Sequence, residues 1–83
     1  MTAPTYTTDA EAVAAILAEV ARARRKHPAW PADIIHQAAI VAEEAGELVR
    51  ASLDTVYFYH PTDERAKEAI HTAATAIRLL RGE

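Results

Sequence analysis

Eighty-three residues suffice for one domain at most. The absence of cysteine excludes disulfides, thiolate metal sites and cysteine nucleophiles. Twelve acidic against nine basic residues, a net charge of −3, fit a nucleic-acid binder poorly, and no apolar run approaches the ~20 residues that span a bilayer.

A chain of this size buries a little over ~60% of its unfolded surface. Alanine supplies 20 of the 42 hydrophobic residues, and Ile, Leu, Val and Phe together only 17. Such a core roughly balances its chain entropy, so oligomerisation is the expected remedy, with a bound metal as a second. Met1 to Asp9 has neither a basic n-region nor an apolar h-region, so the expectation is a cytoplasmic protein without signal peptide.

The chain reads as one helical domain over 1–83 with a flexible tail at 1–8. The first helix is predicted from Thr8 or Asp9 to about Lys26. Thr8 and Glu11 suit a capping box, and Val13, Ile16, Leu17 and Val20 form an apolar stripe. Arg22, Arg24, Arg25 and Lys26 suit the negative end of the helix dipole. His27 to Ala32 is a loop, because Pro28 and Pro31 disfavour helix in the residue before each. A second helix starts at Pro31 or Asp33 and ends near Tyr59. A third runs from about Thr62 to about Arg81, with Thr62 or Asp63 as cap and Gly82 as stop. The fold class is all-α.

The second helix carries the most informative residues. At ~100° per residue, His36, Ile40, Glu43, Glu44, Glu47, Ala51 and Asp54 fall on one side. Both flanks are apolar, the pattern of a buried helix, so the carboxylates point into or to the edge of a packed bundle. Glu43 and Glu47 are like charges four apart, and no cation stands at 39, 40, 48 or 51 to offset them. Packed carboxylates without cationic partners are costly unless a metal ion supplies the charge. On the third helix Glu64, Glu68, His71, Thr72 and Thr75 share one face, and Ala66, Ile70, Ala73, Ile77 and Leu80 the opposite one. Glu68 and His71, three apart, have a spacing that lets two side chains grip one ion.

With these elements the sequence resembles the MazG-like, all-α nucleoside triphosphate pyrophosphohydrolases. That family carries a Glu-x-x-Glu pair on one helix and a Glu-x-x-Asp pair on the next. Here the first is Glu44-Ala45-Gly46-Glu47, preceded by Glu43, and the second is Glu68-Ala69-Ile70-His71. The stretch from Trp30-Pro31-Ala32-Asp33 to Leu48, and the Ala-rich end from Glu68 to Leu80, look like the compact phage branch, the MazZ type. The resemblance covers about two-thirds of the chain. His71 stands where the family has Asp, and imidazole is a poorer ligand for Mg²⁺ and a better one for Mn²⁺. Either His71 ligates and shifts metal preference, or it leaves the ion to Glu68 and contacts substrate.

The resemblance implies hydrolysis of a (deoxy)nucleoside triphosphate to the monophosphate and pyrophosphate, with Mg²⁺ or Mn²⁺ as cofactor. Glu44, Glu47, Glu68 and His71 are then the metal residues. Glu43 orients the attacking water or acts as base. Trp30, His36 and Ile40 hold base or sugar, and Lys26, Lys67, Arg78 and Arg81 are the candidate phosphate cations, Arg78 the best placed by the resemblance. The compact branch acts on dGTP and dATP, which makes purine deoxynucleotides the expected substrates and nucleotide metabolism in a bacteriophage, within the host cytoplasm, the expected setting. Family members pair, so the protomer is expected to be a short helical hairpin assembling into a four-helix-bundle-type homodimer or homotetramer, with no nucleic-acid or membrane partner. The alternatives are a non-catalytic helical interaction or regulatory module whose acidic stripe meets a basic partner, and a degenerate family member that binds nucleotide without hydrolysing it.

Overall fold

Helices begin and end where side chains or turns satisfy their free backbone groups. The computed structural model describes residues 4–58 and 63–83, and among them finds three helices and no strand: α1 (Asp9–Lys26), α2 (Ile34–Tyr57) and α3 (Arg65–Arg81). At α1 the Thr8 hydroxyl accepts from the Glu11 amide at 3.1 Å. The hydroxyls of Thr7 and Thr8 both donate to the Glu11 carboxylate, at 2.7 and 2.9 Å. At α2 the Asp33 carboxylate accepts from the Ile35 amide at 2.9 Å, and Gln37 Nε2 donates to the Pro31 carbonyl at 2.8 Å, which ties the loop to the helix it feeds.

The third helix starts later than expected. Asp63 accepts from the Arg65 amide at 3.0 Å, one residue ahead of the cap position, which Glu64 occupies without a side-chain capping bond. Tyr59, the expected end of the second helix, and Thr62, the other expected cap, lie outside the described residues. Gly82 ends α3 as predicted. Its φ of 69° is left-handed, a conformation that costs glycine nothing, and its amide reaches the Leu79 carbonyl at 3.1 Å.

Packing centres on α3. It contacts both α1 and α2, which do not pack on each other. The gap between them is therefore a groove with α3 as its floor. The buried apolar residues are one per helix: Val20, Ala51 and Ala74. A radius of gyration of 13.8 Å, against ~12 Å for a compact chain of this length, fits this splayed arrangement.

One expectation fails within a single chain. The apolar flanks of α2 are only partly covered: Val41, Ala45 and Leu48 are half-buried, but Ile34 and Ile35 are 74% and 73% exposed, and Val49, Leu53 and Val56 are exposed too. Leu80, on the face of α3 opposite Glu68 and His71, is 81% exposed. Three helices in this order give α2 one helical neighbour, so no other described helix covers its remaining apolar surface. No described helix is long and apolar enough to cross a membrane.

Candidate metal centre

The groove brings together side chains far apart in sequence. Glu44 comes from the inward side of α2, and Glu68 and His71, one turn apart, from α3. One ligand atom from each lies within 4.8 Å of the others. His71 Nδ1 stands 3.8 Å from Glu44 Oε2 and 3.8 Å from Glu68 Oε2. Both of those oxygens are buried without a hydrogen-bond partner. Ligands ~2.1 Å from an octahedral cation stand ~3.0 Å apart at right angles and ~4.2 Å apart across it, so 3.8 Å is within the range one ion spans. The donor set of carboxylate oxygens and imidazole suits Mn²⁺ better than Mg²⁺.

Electrostatics mark the same spot. Burial pushes the Glu44 carboxyl above the ordinary glutamate range, and the neighbouring Glu47 adds to the shift. Glu68 is raised too, first by burial and then by the neighbouring Glu47 carboxyl. Carboxyls shifted in this direction keep their protons to higher pH than ordinary glutamates do, and a divalent cation would reverse the shift.

A fourth carboxylate reaches the cluster from α1. Glu19 Oε2 lies 3.6 Å from His71 Nε2. Arg22, one turn on, donates to Glu19 through Nε at 2.7 Å and Nη2 at 2.6 Å. Those bonds hold the Glu19 carboxyl below its ordinary value, opposite to Glu44 and Glu68. The sequence offered a signal for Glu19: it adjoins Val20, the buried end of the α1 stripe, and has Arg at the favourable three-residue spacing.

Beside the cluster the groove widens to a cleft of ≈ 300 Å³, lined by Trp30 and Ile40 as well as Glu44, His71 and Arg78. The Arg78 guanidinium sits 4.8 Å from the Trp30 ring centroid, a cation–π contact that covers one face of the indole. The Trp30 Nε1 donor is buried without an acceptor.

The predicted residues divide accordingly. Glu44, Glu68 and His71 converge, with Glu47 beside Glu68 but exposed on its outer side. Trp30, Ile40 and Arg78 line the cleft. Arg78, expected as a phosphate cation, is buried and engaged: Nε donates to Glu83 at 2.8 Å and Nη2 to the His27 carbonyl at 2.9 Å. Glu43, His36 and Lys26 are exposed and do not line the cleft. The spacing puts Glu43 and His36 on the stripe, but the groove accepts only the α2 residues that face α3.

No family model matches the chain, and neither does any curated protein or solved structure.

Proposed function

We propose that the protein is a metal-dependent nucleoside triphosphate pyrophosphohydrolase, acting on purine deoxynucleotides such as dGTP and dATP. The observation that carries this reading is the pair of buried carboxylate oxygens, on Glu44 and Glu68, that lack hydrogen-bond partners and face the same imidazole nitrogen. Buried anionic oxygens are normally paired, and three N and O ligands within 4.8 Å are a set that a divalent cation would pair.

Glu44, Glu68 and His71 Nδ1 would hold the ion, with Glu47 in reach as a further carboxylate. A divalent ion supplies charge neutralisation for the polyphosphate and lowers the pKa of a bound water. The chain's own residues do the rest. The half-buried indole of Trp30 lines the cleft and offers a nucleobase an aromatic surface, and Ile40 supplies an apolar wall. Arg78 acts by holding Trp30 in place rather than by gripping phosphate, since its Nε and Nη2 are already engaged. Glu43, solvent-facing and next to Glu44, is placed to exchange protons with bulk water rather than to bind the ion.

The exposed apolar residues of α2 support assembly into a homodimer or homotetramer with a four-helix-bundle core. Covering a Leu, Ile or Val contributes ~1.5–3 kcal/mol, and α2 leaves five of them outward. Sedimentation should show a single species larger than a monomer at micromolar concentration; a folded monomer there would contradict the assembly.

The reaction is tested by pyrophosphate release from the eight common ribo- and deoxyribonucleoside triphosphates, each with Mg²⁺ and with Mn²⁺. Turnover of dGTP and dATP, faster with Mn²⁺, is expected. Silence across the panel from folded, oligomeric protein would favour a non-catalytic interaction module, and nucleotide binding without product would favour a degenerate enzyme.

A further inference from the structure

The cleft is lined by two arginines, and they differ in what they have left to give. Arg78 is 5% exposed, with Nε on Glu83 and Nη2 on the His27 carbonyl. The Arg22 side chain is 47% exposed. Its Nε and Nη2 donate side-on to the two oxygens of Glu19, at 2.7 and 2.6 Å. That pair occupies one edge of the guanidinium and leaves Nη1 without an acceptor among the described residues. The other candidate cations stand elsewhere. Lys26 and Arg81 are exposed and do not line the cleft, and Lys67 borders only a more open depression of ≈ 490 Å³ next to it. That depression shares Glu19, Arg22 and His71 with the cleft, so a ligand that starts on Trp30 and passes the His71 cluster stays beside Arg22.

An anionic chain in this cleft meets the carboxylates of Glu19 and Glu44. A divalent ion on Glu44 and Glu68 is shared between those carboxylates and the ligand, and leaves part of a polyphosphate's charge unanswered. A guanidinium suits the remainder, because its planar fork meets two phosphate oxygens at once. We propose that Arg22 is the polyphosphate-binding cation of the cleft, one edge paired with Glu19 and the outer edge donating to phosphate oxygens. The assignment rests on the nucleoside triphosphate reading given above. It moves the phosphate role from Arg78, whose Nε and Nη2 are engaged, to an arginine with donors to spare.

The test is a calorimetric titration of the full-length protein, in saturating Mn²⁺, with the α,β-imido analogue of dGTP, which resists cleavage at the reacting bond. The wild type is expected to bind it saturably. Arg22→Gln should weaken that binding by ~10–100-fold, the range of a lost charge-assisted hydrogen bond. Its Mn²⁺ affinity without nucleotide should not fall, since the change removes a cation beside the site. Arg22→Lys keeps the charge without the fork and should lie between. Glu19→Gln still accepts from the guanidinium but no longer competes for its charge, and should tighten nucleotide binding. Unchanged nucleotide affinity in Arg22→Gln would overturn the assignment. So would an equal loss in Glu19→Gln, because Arg22 would then act only by holding Glu19, or a parallel loss of Mn²⁺ affinity in Arg22→Gln, the mark of a structural prop. A wild type that takes up Mn²⁺ but no analogue would sink the triphosphate reading itself, and the phosphate role of Arg22 with it.

Discussion

Two charged clusters sit on the same helix two turns apart, and they are built on opposite terms. Around Arg78 the charges are answered. The Glu83 carboxylate accepts from Arg78 Nε and from Arg24 Nε and Nη2, the His27 carbonyl takes the other end of Arg78, and Trp30 takes its face. The Glu83 carboxyl is held low, chiefly by Arg24. Around His71 the carboxylates outnumber the cations, two oxygens lack partners, and the carboxyls of Glu44 and Glu68 are pushed up. The first cluster closes the fold, tying the ends of α1 and α3 to the loop. The second is unfinished by the protein alone. Stability therefore resides where charge is balanced, and the proposed metal site lies where it is not.

Substitutions should separate the two. Glu44→Gln should cut both turnover and Mn²⁺ affinity by more than ~100-fold, beyond what loss of an outer partner causes, because it removes a direct ligand. It should not lower the melting temperature in EDTA, since it removes an unpaired buried charge; a clear loss of stability there would mean the site is structural. Arg78→Met should do the reverse. It removes two hydrogen bonds and a buried guanidinium while keeping the aliphatic stem, and should cost ~2–3 kcal/mol in urea unfolding. Unchanged stability would dissolve the contrast.

The pH response gives a smaller, sharper test. Burial raises the Glu44 and Glu68 carboxyls in the folded state, so protonated carboxyls favour folding. That contribution is full below the ordinary glutamate range and is lost as pH rises through the raised values. Glu83 is lowered, so its contribution is present above the ordinary range and is lost as pH falls. Metal-free protein should thus lose stability at the His71 cluster as pH rises from acid toward neutral, and Mn²⁺ should remove that loss. Melting curves against pH that are the same for wild type and Glu44→Gln, with and without Mn²⁺, would contradict it.

Much of the fold is legible in the sequence because it is local. Thr8 with Glu11, the two prolines about Trp30 and the glycine at 82 are short-range signals, and they place α1, most of α2 and the end of α3. The late start of α3 is not, since Asp63 and Thr62 are equivalent as caps by composition. The site is legible in part for a similar reason. Spacing of three puts Glu68 and His71 on one face and offers Glu44 with Glu47. It does not choose between Glu43, Glu44 and Glu47, because that depends on the rotation of α2 against α3. Glu19 depends on how α1 crosses α3, a tertiary fact. The sequence places Arg78 at the site but gives it a phosphate to hold, whereas its partners in the fold are Glu83, His27 and Trp30.

The central claim is that Glu44, Glu68 and His71 form a divalent-cation site. Its most direct test is a Mn²⁺ titration of metal-free wild-type protein followed by electron paramagnetic resonance, with Glu44→Gln and Glu68→Gln in parallel. The account predicts saturable loss of the free-ion signal in the wild type and its persistence in both variants. A wild-type titration that leaves the free Mn²⁺ signal intact, or variants that bind as the wild type does, would contradict it.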